Sequence, residues 1–381
     1  MTPTSNVRIP NWKRAVIKVG SALVTESGRR ISTKHMLPIA SFITACRDQG
    51  KEIILVSSGA VAAGLSTQSR LATKQQKTIP EKQALAAIGQ PMLMTTWSRL
   101  LDYTCAQLLL TYDDILNRKR FINAQNTLME LLMMKTIPII NENDTVATDE
   151  LKVGDNDNLA AFVAVLANAD LLIICSDIDG LYDADPRTHP DAKHISVVEA
   201  IDEKIHALAG GAQSKISTGG MRTKIQAAEK ATSGGIDTII MNGTKHVFFQ
   251  MLLDGILCGT IFKRQQRPTV GRKHWMLHAL PSAGSIYVDK GAAKAISTSG
   301  ASLLPSGIVE ISGDFQEGDA VFVYERNEDG AQRIAKGITR FRSTDLAKII
   351  GKKSHEIPQV LDKNHQSDVV IHREYMVILN G

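Results

Sequence analysis

From residue 15 to about residue 262, short apolar runs alternate with longer segments in which apolar residues return every three or four positions. The runs 15–19, 52–56, 107–110, 137–140, 171–175 and 238–241 are rich in Val, Ile or Leu and end on small or polar residues. Such runs predict strands covered on both faces, hence a mainly parallel sheet between helices. The intervening periodicity predicts helices from near Ser32 to just before Gly50, over 80–103 with a kink at Pro91, and over 120–134, 158–167 and 221–232. Ser32 is a residue type that caps helix starts, and Gly50 suits the position just past a helix end. The first two-thirds of the chain thus reads as a three-layer α/β/α sandwich, spanning residues 1–262.

The pattern changes after Phe262. Residues 263–268 are charged and contain a proline, and a linker is expected over 263–279. Beyond it, short strand-like segments at 284–288, 307–311 and 320–324 are separated by glycine-bearing turns, with a short helix near 290–297. A second, small β-rich domain is expected over 280–365, with a tail over 366–381.

Composition narrows the class. The 381 residues are 43% hydrophobic and 22% charged, which fits a folded chain long enough for two domains and excludes both a single small module and a disordered tail. The net charge of +5 is mild for a dedicated nucleic-acid binder, and four of the five excess charges lie in residues 263–381. Cys46, Cys105, Cys175 and Cys258 are far apart, without the spacing of a zinc site, and read as buried free thiols of a reducing compartment. Residues 1–14 are polar and no apolar run approaches the length of a membrane span, so a cytoplasmic protein is expected.

Five clusters carry candidate chemistry, and four of them sit where a strand ends. Ile17-Lys18-Val19-Gly20-Ser21 places a cation beside a backbone that can approach phosphate closely, although an edge lysine before a turn glycine is the plainer reading. Val56-Ser57-Ser58-Gly59, followed by Ala60 to Gly64, runs a strand into a small-residue helix start, open to an anion or simply packed tightly. Asn141-Glu142-Asn143-Asp144, then Gly154-Asp155-Asn156-Asp157-Asn158, is dense in carboxylates and amides that cannot be buried unpaired. It is either a solvated turn or the wall of a polar site, and its mix of donors and acceptors suits a zwitterion. Ser176-Asp177-Ile178-Asp179-Gly180, with Asp185-Pro186-Arg187 beyond, is a polar strand end and a sharp turn. The fifth cluster, Ser217-Thr218-Gly219-Gly220-Met221-Arg222-Thr223-Lys224, leads a glycine pair into a helix with a lysine one turn in, without the Walker spacing. In the last third Arg264, Arg267, Arg272, Lys273, Arg340, Arg342, Lys352 and Lys353 read as a solvated surface or a phosphate-binding face.

Taken in this order, the five clusters resemble the amino acid kinase family, in its glutamate-phosphorylating branch, and the tail resembles a PUA domain. The resemblance implies ATP-dependent phosphorylation of the glutamate side-chain carboxylate to glutamyl 5-phosphate, the first step of proline biosynthesis, with proline as an inhibitor. It implies that Lys18 and Lys224 stabilise the phosphoryl group in flight, that Asp157 orients them, and that Ser58, Asp144 and Asn156 hold glutamate. Lys18, Gly20, Ser21, Gly59, Ser176, Asp177 and the stretch Thr218, Gly219, Gly220, Met221, Arg222, Thr223 and Lys224 would line the ATP site. Magnesium would bridge the nucleotide phosphates, with no metal held by the protein alone. Two positions depart from the family pattern: Ser176 stands where Thr is common, and Arg222 where a small residue is usual. The resemblance further implies a homodimer or homotetramer, and coupling to the next enzyme of the pathway is plausible because the product is labile. Other readings remain open at this level. One is a kinase of aspartate or acetylglutamate, separable by assaying each amino acid. Another is an RNA-binding module, which would show salt-dependent RNA affinity confined to 263–381.

Overall fold

A computed structural model describes residues 7–26, 30–68, 71, 76–111, 114–115, 117–147, 156–186, 188–209, 220–265, 282–327, 330–353, 356–357, 360–361 and 369–379. The chain forms two compact units, 1–268 and 269–381.

The first unit is built on an eight-stranded sheet. Its strands are β1 (Arg14–Val19), β2 (Glu52–Ser57), β3 (Cys105–Leu110), β4 (Ile137–Glu142), β5 (Leu171–Ser176), β6 (Val197–Val198), β7 (Asp237–Asn242) and β8 (Thr260–Phe262), in the order β6-β8-β7-β5-β1-β2-β4-β3. Only the β7–β8 pairing is antiparallel. Every residue of β5 and β7 is buried, which is why β5 reads as an apolar run and β7 as an apolar centre between polar ends. The two- and three-residue strands β6 and β8 widen the sheet beyond the six expected runs; segments so short carry no periodicity to read.

The helices of this unit are α1 (Ser21–Val24), α2 (Met36–Asp48), α3 (Ala60–Leu65), α4 (Ile79–Leu100), α5 (Arg118–Met133), α6 (Asn156–Leu166), α7 (Glu203–Ala209), α8 (Met221–Ser233) and α9 (His246–Leu253). The expected start of α2 at Ser32 is corrected. The Ser32 amide donates to the Val24 carbonyl, closing a short hairpin of Thr25–Glu26 and Arg30–Ile31, so the helix begins only at Met36. Helix α4 opens on a reciprocal cap, in which the Thr78 hydroxyl accepts from the Glu81 amide and the Glu81 carboxylate accepts from the Thr78 amide. Pro91 lies inside α4, which the structure assigns as one continuous helix.

Register brings the functional ends together. Lys18 pairs with Val56 and Ile174, Val19 with Ser57 and Cys175, and Asn242 with Ser176, so β1, β2, β5 and β7 finish at one level. Beyond that level the backbone continues the ladder: Ser58 donates to the Val19 carbonyl, Gly20 to Cys175 and Gly243 to Ser176. Strand β1, flanked by β5 and β2, is where the strand order reverses, the position at which open α/β sheets leave a crevice for ligands.

The second unit is a five-stranded sheet of β9 (Ser282–Val288), β10 (Ile308–Ser312), β11 (Ala320–Asn327), β12 (Gly330–Ile338) and β13 (Met376–Ile378), ordered β10-β9-β11-β12-β13, with helices α10 (Lys290–Ser299) and α11 (Ser343–Ile349). One face packs Ile286, Val288, Phe315, Val321, Val323 and Phe341 into a separate core. Strand β13 falls in the segment expected as a tail, yet it pairs with β12. The four cysteines are free thiols; Cys46, Cys175 and Cys258 are buried, and Cys105 is half-buried.

Helices α3 and α4 meet through glycines. A Cβ at Gly89 would collide with the Ala60 carbonyl oxygen, and one at Gly64 with the carbonyl of Leu85. This contact sets how close α4 lies to the helix that follows Ser58. Gly89→Ala is expected to lower stability by roughly 1–3 kcal/mol, the usual cost of overpacking, seen as a lower midpoint in urea unfolding.

Candidate active site

Lys18 stands at the end of β1, on the opposite pleat from Ile17 and Val19, and is only 5% exposed. Asp157 lies in the first turn of α6 and is fully buried, and Lys224, in the first turn of α8, is 3% exposed. The Lys18 ammonium is 2.5 Å from Asp157 Oδ1 and the Lys224 ammonium 3.1 Å from Oδ2. The Thr223 hydroxyl stands 3.1 Å from the same Oδ2 and 2.8 Å from the Gly220 carbonyl. Burial would push the Asp157 carboxyl upward, but the two ammonium groups outweigh it and hold the group below the usual carboxylate range. The triad therefore contains one anion and two cations, a net positive charge in a buried place. That is the arrangement a transferred phosphoryl group needs.

Helices α6 and α8 are fastened a second time, through the residue after Asp157. Lys230 donates to Asn158 Oδ1 at 2.7 Å, with its ammonium 5.1 Å from the centre of the Phe162 ring.

The second group surrounds Ser58. Asn156 donates through Nδ2 to Ser58 Oγ at 2.7 Å and to Asn141 Oδ1 at 2.8 Å. Asn141, 3% exposed, donates to Gln90 Oε1 at 2.9 Å, and Gln90 donates to Gln107 Oε1 at 3.0 Å. Ser57, beside Ser58, accepts from the buried Trp97 indole at 2.9 Å. Asp144 lies half-buried in the turn after β4. Sequence reasoning placed Asn141 in a polar run without assigning it a role and missed Gln90, which sits in mid-helix with no local motif to mark it.

The third group lies at the ends of β5 and β7. Ser176 donates to Asp177 Oδ1 at 3.1 Å, and Asp177 is exposed. Asp179 accepts from Asn242 and from Lys245, both at 2.8 Å. Burial works against its charge, but those two bonds and the Lys245 cation hold its carboxyl below the usual range. Asn242 and Lys245 were not singled out in the sequence, because one ends an apolar strand and the other precedes an apolar helix.

The remaining expected residues divide by exposure and role. Gly20 has φ −72°, and a Cβ there would meet the Cys175 oxygen and the Lys18 ammonium at 3.6 Å, an ordinary contact. The fold does not demand glycine at this position. Gly59 differs: φ is +112°, and a Cβ would stand 2.9 Å from Val24, so backbone geometry already explains it. Ser21 and Arg222 are exposed at the starts of α1 and α8, and Met221 is half-buried. Thr218, Gly219, Asp155 and Arg187 lie outside the described residues. Among the tail-side basic residues, Arg342 pairs with Asp345 at 2.9 Å and Arg264 with Asp237 at 3.8 Å.

A parallel sheet whose strand ends surround two buried lysines and a carboxylate is the architecture of a small-molecule kinase. The amino acid kinase family model matches residues 13–242 and the PUA domain model residues 284–361. The chain belongs to the amino acid kinase family. Its relatives include the glutamate 5-kinase of Salinibacter ruber, 56% identical over 374 residues that cover 98% of this chain and 99% of that protein. The glutamate 5-kinase of Idiomarina loihiensis is 50% identical over 375 residues, covering 98% and 99%. That of Xylella fastidiosa is 43% identical over 372 residues, covering 97% and 96%. Among the described residues no helix is long and apolar enough to cross a membrane.

Asp157→Asn would remove the anion and leave two ammonium groups facing each other in a buried site. Because the folded carboxyl lies below its unfolded value of about 3.9, its stabilising contribution is complete above that pH and is lost as pH falls through the folded value. Urea unfolding of both proteins should show a constant stability gap from neutral pH down to about pH 4, narrowing below it.

Proposed function

We infer that this protein transfers the γ-phosphoryl group of ATP to the side-chain carboxylate of L-glutamate, giving L-glutamyl 5-phosphate and ADP. The observation that carries the reading is the buried Lys18–Asp157–Lys224 triad at the sheet's ligand-facing edge. Near full-length similarity to glutamate 5-kinases supports the choice of glutamate as acceptor.

The chemistry needs little proton management. A carboxylate is already ionised at neutral pH, so its oxygen attacks phosphorus without a general base. As that O–P bond forms, the bond from phosphorus to the bridging oxygen of ADP breaks, and the departing electron pair stays on ADP. Lys18 and Lys224 place two ammonium groups where negative charge gathers on the moving phosphoryl group, and Asp157 keeps both lysines aimed. Ser58, Asn156 and Asp144 would receive the amino acid, whose ammonium and α-carboxylate call for acceptors and donors together. Gly20, Ser176, Asp177 and the start of α8 would line the nucleotide. Magnesium, supplied with ATP, would offset phosphate charge. Among the described residues no three His, Cys, Asp or Glu side chains stand close enough to cage a metal.

Wild-type protein should release ADP only when L-glutamate is present, with aspartate and acetylglutamate as poor acceptors. Lys224→Ala should reduce kcat by roughly 100-fold or more, a loss typical of removing one charge-stabilising donor, while the glutamate KM changes little. Near-normal turnover in that variant, or equal use of another amino acid, would overturn the assignment. Proline shares the α-amino acid backbone of glutamate, so it should raise the apparent glutamate KM in the same assay without lowering kcat.

A further inference from the structure

We propose that Gln90 is a positioning residue for amino acid recognition: through Asn141 it fixes the Asn156 amide so that Oδ1 of Asn156 is offered to the substrate ammonium group. The inference rests on the glutamate-phosphorylating reading above and adds a residue far from the phosphoryl-transfer triad.

The orientation of the chain of amides follows from one backbone group. The Glu142 N–H can only donate, and it lies 2.9 Å from the Asn141 side chain, so the atom it meets is Oδ1. Asn141 then turns Nδ2 toward Gln90, which must answer with Oε1 at 2.9 Å. Gln90 in turn donates Nε2 to Gln107 at 3.0 Å. In the other direction, the Asn156 atom 2.8 Å from Asn141 Oδ1 has to be a donor, Nδ2. That nitrogen also donates to Ser58 Oγ at 2.7 Å, so both of its hydrogens are committed.

Two consequences reach the substrate. The amide oxygen of Asn156 becomes the atom of that side chain that can serve a ligand, and it accepts only. Ser58 has accepted from Asn156, which leaves its O–H to donate. A fixed acceptor beside a fixed donor matches an ammonium beside a carboxylate.

Gln90 is the buried anchor of this arrangement. It is 7% exposed in helix α4, whereas Gln107 at the far end is exposed and free to reorient with any change at Gln90. The Asn141 amide plane is pinned at one corner by the Glu142 N–H and at the other by Gln90 Oε1. Removing the second pin leaves a buried Nδ2 without its acceptor, a costly state that Asn141 relieves by rotating and releasing Asn156.

The test compares Gln90→Met, of similar length but with no acceptor, with Gln90→Glu, which keeps an acceptor facing Asn141. Q90M should raise the glutamate KM about tenfold, with the ATP KM and the thermal midpoint little changed, and Q90E should recover most of the loss. An unchanged glutamate KM in Q90M, or glutamate and ATP KM values rising together with no recovery in Q90E, overturns the proposal. A second measurement needs no variant: wild-type enzyme should use glutarate, which lacks the ammonium, with kcat/KM at least a hundredfold below that for glutamate. Comparable use of glutarate would equally overturn it. Absence of glutamate-dependent turnover in the wild type would instead sink the functional reading itself.

Discussion

The site depends on a single buried carboxylate. Asp157, in the first turn of α6, holds two lysines and a hydroxyl that come from two other elements, the end of β1 and the first turn of α8. Burying three charges is expensive, and such a cluster persists only where each partner is matched in geometry. Among the described residues, the two lysines share this one carboxylate. A charge-neutral pair would be easier to bury but would offer nothing to an incoming phosphoryl group. The residual positive charge, held without freedom to reorganise, is what turns a structural ion cluster into a candidate catalytic one.

The sheet supplies the placement and the amides supply the polarity. Parallel pairing aligns the ends of β1, β2, β5 and β7 at one level, and Gly20, Ser58 and Gly243 continue that alignment through backbone bonds. Lysine and serine side chains from different strands thereby share one crevice. The alignment alone does not tell an amide which way round to sit. That information enters from the Glu142 N–H and passes along Asn141 to Asn156 and Gln90. The two halves of the site thus use different physics: burial of charge around Asp157, and directional hydrogen bonding around Asn156.

Much of this was legible because strands buried on both faces end abruptly. Lys18, Ser58, Asn141 and Ser176 all follow or close an unbroken apolar run, so polar residues there stand out. Asp157 was visible as a polar residue opening an apolar helix, and Lys224 as a lysine one turn into a helix that follows a glycine pair. Gln90 was not, since its neighbours Ala86, Gly89 and Leu93 give it the look of any residue on a packed helix, and its role exists only through contacts 17 and 51 positions away. The start of α2 was misplaced for a related reason. Ser32 is a good cap locally, but its amide is taken by Val24 in a hairpin too short to show a period. Strands β6 and β8 escaped in the same way.

Net charge turned out to be a poor guide to where electrostatics act. Residues 1–262 are almost neutral in sum, yet they contain the buried triad, while four of the five excess charges lie in residues 263–381. Exposed charges are screened over about 8 Å at physiological salt, whereas buried ones are screened far less. Arg342 in the second unit illustrates the first case: it is more than half exposed, beside Asp345. Lys336 illustrates how burial reshapes a single cation, since desolvation and the nearby Arg333 lower its pKa to about 8. Lys18 and Lys224 are buried too, and each ammonium stands within 3.1 Å of an Asp157 carboxylate oxygen. Two lysines and a carboxylate gathered in a buried site are therefore screened far less than charges at the surface, and a segment almost neutral in sum can still concentrate its electrostatics at one place.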